Sequence, residues 1–374
     1  MFLSQKLAVM SGDAFRDNYS IAFDGTDGHI ALENNANLYV NDADWSIAFW
    51  FKSTTTENDY FYSGGDGSDQ GYIEFRLRGD DGGYIRAFLK DMDNTQELAF
   101  NTTVTGLNDG KWHHYAYTLD WSAKKGYSYV DGVFSAAAAN TNVVTFANDA
   151  DVVHIGKRST TTSGTYELNG NISDMAIYNK FLSAEEVREV YNDGQPYNHN
   201  DSSFQSNLKG WWRMGDGAED YLTYIGDDSS LNTEADVVVN GGFKLDVSWT
   251  KGTGWSISGG KAVCSGSQHG NTALTQTNAA GFLDHGAWYK VQFEISDYTA
   301  GEINPHITGQ SSGNVSGNGI KISLIQASSL NEDIVMYADA SFAAKIDNIS
   351  IHKISGSPGI MKSLTIDDIE EGLS

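Results

Sequence analysis

The sequence predicts an all-β fold: two antiparallel β-sandwich (jelly-roll type) domains with one short capped helix. Three observations carry that prediction. Apolar and polar residues alternate over short runs along most of the chain. Forty glycines against three prolines supply the tight turns that many short strands need. One segment alone bears a strong helix-capping signature. A chain of 374 residues is long enough for two or three domains. With 40% apolar and 12% aromatic residues, each domain can fill a core.

The alternation starts with Ile21 and Phe23 and strengthens at Trp45, Ile47, Phe49 and Phe51, which share one strand face. Ile73, Phe75 and Leu77 follow, with Glu74, Arg76 and Arg78 opposite them; then come Ile85, Ala87 and Leu89, and later Tyr115, Tyr117 and Leu119. Asp80, Asp81, Gly82 and Gly83 form the turn between the run ending at Leu77 and the run starting at Ile85. Asp131-Gly132 marks a hairpin, because both residues tolerate positive φ. The helix starts at Ser183, which forms a capping box with Glu186, while Leu182 staples onto Val187. It stops at Asn192-Asp193-Gly194, and so short a helix holds only if docked on a sheet.

A polar loop at 195–209 leads into a closing strand at 210–214, and residues 1–220 are expected to form the first sandwich. Residues 221–240 are expected to be a linker. A second β region over 241–355 has alternating runs at Trp255 and Ile257, at Ala262 and Cys264, and at Tyr289, Val291, Phe293 and Ile295. Further runs lie at Ile320, Ile322 and Leu324, and at Ile349 and Ile351. Residues 356–374 are expected to be an acidic tail, amphipathic or flexible.

Charge excludes some partners. The net charge is −25, from 24 Lys and Arg against 49 Asp and Glu, and both halves share the imbalance. No basic stripe suits a phosphate backbone or an anionic membrane, so nucleic-acid binding is not expected. No apolar run approaches the ~20 residues of a membrane span, so membrane insertion is not expected either. The opening MFLSQKLAVM lacks a cleavage pattern, so an outside location is expected to need a route other than a cleaved leader. The single cysteine, Cys264, rules out an internal disulfide framework and reads as a buried structural thiol.

Catalytic constellations are not found in the sequence, and the chain is expected not to be an enzyme. His113 and His114 are consecutive on a strand and point to opposite faces, so they cannot grip one metal. A glycosidase needs two facing carboxylates. Glu74 is the only acid in its strand and is followed by arginines, while Glu185 and Glu186 belong to the helix cap. Tyr60, Tyr62 and Tyr72 surround a loop containing Asp66 and Asp69. Rings can stack on sugars while carboxylates take hydroxyls, but the same residues suit a subunit interface. In the tail, Ile360, Leu364, Ile366 and Ile369 stand among acids and have little to do in a monomer. They are expected to pack against another subunit, each large aliphatic gaining roughly 1.5–3 kcal/mol on burial.

Four segments carry a family resemblance: SIAFDGTDGHIAL at 20–32, WSIAFWFKS at 45–53, DGKWHHYAYTLD at 109–120 and GNISDMAIYNKFLSAEEVREVYNDG at 170–194. Together they resemble the laminin-G/concanavalin-A-like sandwich superfamily. WTKGTGWSISGGKAVCSG at 249–266, GAWYKVQFEISDY at 286–298 and AKIDNISIHKI at 344–354 resemble galactose-binding-like jelly rolls. The first resemblance implies a structural calcium between the first strand and the strand before the helix, at Asp24 and Asp174. The pairing of modules resembles virion structural proteins of tailed bacteriophages, which implies a capsid decoration, tail or fibre-associated role. The expected partners are then other virion proteins, copies of itself and a host-surface glycan, with the chain on the virion surface. The alternative is a secreted, extracellular carbohydrate-binding adhesin, and a weaker one is a glycan hydrolase.

Overall fold

The computed structural model describes residues 17–33, 38–65, 71–93, 95–145, 152–159, 167–216, 224–229, 236–277, 283–328, 333–354, 356–364 and 366–371. The chain is nearly all β, in antiparallel sheets that form sandwiches, and divides into two compact units. The first unit takes residues 1–231 together with 356–374, and the second takes 232–355. The second unit is therefore an insertion, entered and left from the first.

The first unit begins with β1 (Tyr19–Asp24), β2 (His29–Leu32), β3 (Trp45–Ser53), β4 (Asn58–Gly65), β5 (Ile73–Arg78), β6 (Tyr84–Lys90) and β7 (Glu97–Asn101). It continues through β8 (His113–Asp120), β9 (Lys125–Val130), β10 (Val133–Ala139), β11 (Val152–Ile155), β12 (Asn169–Tyr178), the helix α1 (Ala184–Tyr191), β13 (Leu208–Trp212) and β14 (Tyr224–Ile225). The inserted unit holds β15 (Thr250–Lys251), β16 (Trp255–Ser258), β17 (Lys261–Ser265), β18 (Thr272–Gln276) and β19 (Trp288–Ala300). Its remaining strands are β20 (Ile303–Ile307), β21 (Gln310–Ser311), β22 (Gly319–Gln326), β23 (Ile334–Ala338) and β24 (Ala343–Lys353). The chain then returns to the first unit with β25 (Gly359–Lys362) and β26 (Ile369–Glu371).

One sheet of the first unit runs β10-β9-β8-β3-β12-β1-β26, with β13 also paired to β12. The other runs β14-β25-β2-β11-β4-β5-β6-β7. Their inward faces enclose the core that the alternation predicts: Trp45, Phe49 and Phe51 meet Phe61, Phe75, Tyr115 and Tyr117. The outer face of the first sheet is covered by α1, where Val187 and Val190 pack over Ala48, Ala116, Ala176 and Tyr178. Small residues on the strands leave room for the helix. The capping box is formed: Glu186 N–H donates to Ser183 Oγ at 3.3 Å and Ser183 N–H donates to Glu186 Oε2 at 2.9 Å. Among the described residues, no helix is long and apolar enough to cross a membrane.

The C-terminal segment corrects the expectation of a detached tail. β25 pairs with β2 and β14, and β26 pairs with β1, so residues after the insertion complete both sheets of the first unit. Met361 and Leu364 are buried in its core, and Ile369 packs against that core. Gly28 makes room, since a Cβ there would come within 2.7 Å of Leu364 Cδ2. Ile360 is half-buried on β25, and Ile366 lies in a short 3-10 turn. Leu364 and Ile369 thus meet their partner within their own chain, which removes the reason to assign these two to another subunit.

Residues 221–240 are likewise more than a linker. β14 pairs with β25, and the buried Asp227 carboxylate accepts from Trp211 N–H at 2.9 Å, Ser229 N–H at 3.0 Å and Ser357 N–H at 2.7 Å. Trp212 Nε1 donates to Ser357 O at 2.8 Å. A carboxylate just before the insertion thus holds the backbone just after it.

The inserted unit has two five-stranded sheets, β15-β18-β23-β20-β21 and β16-β17-β24-β19-β22. Its core contains Trp249, Tyr289, Val291, Phe293, Ile346 and Ile351, and Cys264 is buried there as a free thiol.

Candidate ligand-binding site

A cavity of about 260 Å³ opens at one rim of the first unit, lined by Gly25, Thr55, Glu57, Asn58, Asp59, Glu167 and Asn169. The turn before β4 is fixed by its own hydroxyls: Ser53 Oγ accepts from Thr55 N–H at 3.0 Å, and Thr55 Oγ1 accepts from Glu57 N–H at 3.1 Å. That turn delivers Asp59, whose carboxylate accepts from Asn169 N–H at 3.0 Å and Thr55 Oγ1 at 3.2 Å. Burial pushes the Asp59 carboxyl up to about 6. Glu167 Oε1 pairs with Lys157 Nζ at 3.3 Å, but Oε2 is buried with no hydrogen-bond donor among the described residues, as is Asn58 Oδ1. Gly25, at φ 75°, turns the chain against Asn169. The cavity is thus rich in oxygen acceptors and short of donors.

A second feature starts from the same strand. Tyr60 on β4 lies opposite Arg76 on β5, Arg76 opposite Arg86 on β6, and Arg86 opposite Asn101 on β7. This row crosses the outer face of the second sheet, because Phe75, Leu77, Ile85 and Ala87 take the inner face. Arg76 Nη1 donates to Tyr60 Oη at 2.6 Å. The guanidinium carbons of Arg76 and Arg86 lie 5.5 Å from the Tyr60 ring centroid and 5.4 Å from that of Phe88, respectively. Glu74, also on this face, is buried and pairs with Arg158 Nε at 2.6 Å. Arg158 in turn lies over the rings of Tyr60 and Tyr72.

The expected sugar-stacking tyrosines do not serve that way. Tyr62 is fully buried in the core and donates to Leu38 O at 2.7 Å. Tyr60 and Tyr72 are 1% and 9% exposed, so their rings support the arginines and offer no open platform. Asp66 and Asp69 fall outside the described residues.

The expected calcium pair is not brought together. Asp24 lies opposite Asn169 in the pairing of β1 with β12, so Asp174 falls five residues away along the same ladder, about 16 Å off. Asp24 is exposed and makes a local turn, accepting from Thr26 N–H at 2.9 Å. Asp174 sits at φ 49° in an irregularity of β12, at the end of its pairing with β1 and near the start of its pairing with β13. Its side chain turns toward the α1 side, where it accepts from Trp211 Nε1 at 2.6 Å and lies 3.3 Å from His199 Nε2. Tyr178 Oη bonds the other nitrogen of that ring. Burial works against ionisation of Asp174, but His199 and Trp211 hold its carboxyl below the usual range. Among the described residues, no three His, Cys, Asp or Glu side chains converge as a metal set.

Sequence reasoning therefore missed the meeting of Asn58 and Asp59 with Glu167, far from them in the chain, and the pairing of Arg76 with Arg86. The second was within reach, because a turn at 80–83 fixes the register of the strands that flank it.

Residues 24–188 match the family model of the Concanavalin A-like lectin/glucanases superfamily, under half of the chain. No curated protein sequence matches significantly. Among solved structures, the CBM40 of the Ruminococcus gnavus IT-sialidase, bound to α2,3-sialyllactose, is 15% identical; the match covers 46% of this chain and 97% of that one, with a TM-score of 0.39. The SAP-like pentraxin of Limulus polyphemus is 14% identical, covering 48% and 84%, with a TM-score of 0.37. Domains LG4-5 of the mouse laminin α1 chain are 10% identical, covering 94% and 84%, with a TM-score of 0.36.

Proposed function

We propose that this chain is a non-catalytic glycan-binding protein, working outside the cell as an adhesin, and that the rim cavity of its first unit receives the sugar. One observation carries the reading: buried oxygen acceptors of Glu167 and Asn58 line the cavity, and among the described residues nothing donates to them. A buried acceptor left unsatisfied costs about 1–3 kcal/mol, so a ligand that brings donors or positive charge is favoured there. Sugar hydroxyls are such donors. An anionic or wholly apolar ligand would leave the acceptors worse off. The lectin family match over residues 24–188 supports the same class.

Calcium belongs to this reading at a different place from Asp24 and Asp174. Glu167, Asp59 and the Asn58 amide oxygen are the hard oxygen ligands that calcium takes. Two carboxylates and neutral oxygens would hold it, leaving open positions for sugar hydroxyls. The acid beside the arginines on β5, Glu74, is bound to Arg158, which supports binding without hydrolysis. Of the two main sequence expectations, the secreted carbohydrate-binding protein is the better supported; the relatives named above do not bear on a virion.

The test is a glycan array of the full chain with calcium and with chelator, repeated with Glu167→Gln, which replaces one acceptor oxygen by a donor. The expected result is retention of a defined glycan set and at least tenfold weaker binding by the variant. An array that retains nothing, or a variant that binds as well as the parent, would overturn the reading.

A further inference from the structure

We infer that the row Tyr60–Arg76–Arg86–Asn101 is a subsite for a sugar acid, a residue carrying a carboxylate or a sulfate; this rests on the glycan-binding reading. Arg76 and Arg86 are direct cross-strand neighbours. Opposed residues in an antiparallel pair stand about 5 Å apart at Cβ, and like charges placed so are destabilising. The chain has 49 acids to 24 bases, so a neutralising partner would have been easy to supply. Among the described residues, neither arginine makes an ion pair, and the Nε–H of each is buried without an acceptor. The one acid beside them on β5, Glu74, is bound to Arg158.

Two guanidiniums held without an anion, with aromatic rings packed against them, are pre-organised to receive one. The planar fork of arginine fits the paired oxygens of a carboxylate or sulfate. Tyr60 Oη, bonded to Arg76, holds that guanidinium in place, and the exposed Asn101 at the other end of the row supplies an amide partner for the rest of the ring. Because the aromatic rings are covered, recognition here is by charge and hydrogen bonding, unlike the stacking that a neutral sugar would need.

The experiment titrates the full chain with three soluble galactan-type oligosaccharides: neutral galactan, oligogalacturonate and a sulfated galactan. At least one acidic oligosaccharide is expected to bind tenfold or more tighter than the neutral one, and its identity assigns carboxylate or sulfate. Arg76→Gln and Arg86→Gln should each cut acidic binding at least tenfold and leave neutral binding within twofold. Melting separates this role from a structural one, since relieving the Arg–Arg opposition should leave Tm unchanged or raise it. Neutral binding equal to acidic binding would overturn the subsite while sparing the glycan reading. So would variants that keep full acidic affinity or melt well below the parent. Failure of all three oligosaccharides to bind would remove the subsite; whether any glycan is retained on the array decides the wider reading separately.

Discussion

Among the described residues of the inserted jelly roll, the buried polar side chains are Gln268, Thr272, Gln276, Thr308 and Ser323, all of them neutral. Gln268 donates to Asp339 O and Phe342 O, and Gln276 to Val239 O and Ser248 O, so the amides tie loops to strands. The first unit is built differently. Asp17, Asp59, Glu74, Asp91, Asp174, Asp227 and Asp228 are all buried there, with His114 and His199. Burying a carboxylate is costly unless it is paired and hydrogen-bonded. Some of these acids have internal employment, Asp227 at the neck of the insertion and Asp174 under the helix. Asp59 instead stands at the rim, beside oxygens of Asn58 and Glu167 that have no hydrogen-bond partner among the described residues. The contrast teaches where to look for function: the second unit obeys the pattern of an ordinary sandwich, and the first departs from it at particular residues.

The sharpest way to break the comparison is to remove residues 356–374. The first unit loses β25, β26, Met361 and Leu364 together, and it is expected to unfold while the jelly roll keeps its own transition. Differential scanning calorimetry of the truncated chain shows this as one surviving transition; two would contradict the shared architecture. Leu364→Ala is the finer form, expected to cost about 2–4 kcal/mol in the first transition only.

Asp174→Ala comes next. It leaves His199 and the Trp211 N–H facing each other without the acid between them, at an expected cost of about 3–5 kcal/mol to the first unit. Asp174→Asn, which keeps an acceptor for Trp211, should lose less. Denaturant unfolding followed by tryptophan fluorescence distinguishes the two.

Much of this architecture was legible beforehand. Strict alternation gave β3, β5, β6 and β8, Asp131-Gly132 gave the β9–β10 hairpin, and Ser183 with Glu186 gave the helix start. The closing strands were not legible, because β25 and β26 have only four and three residues, too few for a period. Their partners β1 and β2 also lie over 300 positions away. The rim cavity was hidden for the same reason: Asn58 and Asp59 meet Glu167 only after the sheet has formed. Tyr60, Tyr62 and Tyr72 misled because aromatic residues near a glycine-rich loop look alike whether they face a ligand, an arginine or the core.

A smaller effect separates the units by acidity. Burial lowers His114 to about 4 and His154 to about 3, both in the first unit, so each stays neutral in the fold. An unfolded histidine protonates near 6.5, so this stability is fully present above that pH and is lost as pH falls toward the folded values. His114 alone would account for about 3 kcal/mol by pH 4. The first transition is expected to fall steeply between pH 6.5 and 4, and His114→Gln to flatten that fall. An equally steep fall in the jelly roll, where no histidine is buried among the described residues, would contradict this account.

The most direct test of the central claim is hydrogen–deuterium exchange on the full chain, with and without the glycan that ranks first on the array. The account predicts added protection in Asn58–Tyr60, in β5 around Arg76 and in β6 around Arg86, with residues 236–354 unchanged. Protection confined to the strands and loops of the jelly roll would place the ligand on the other unit and contradict it.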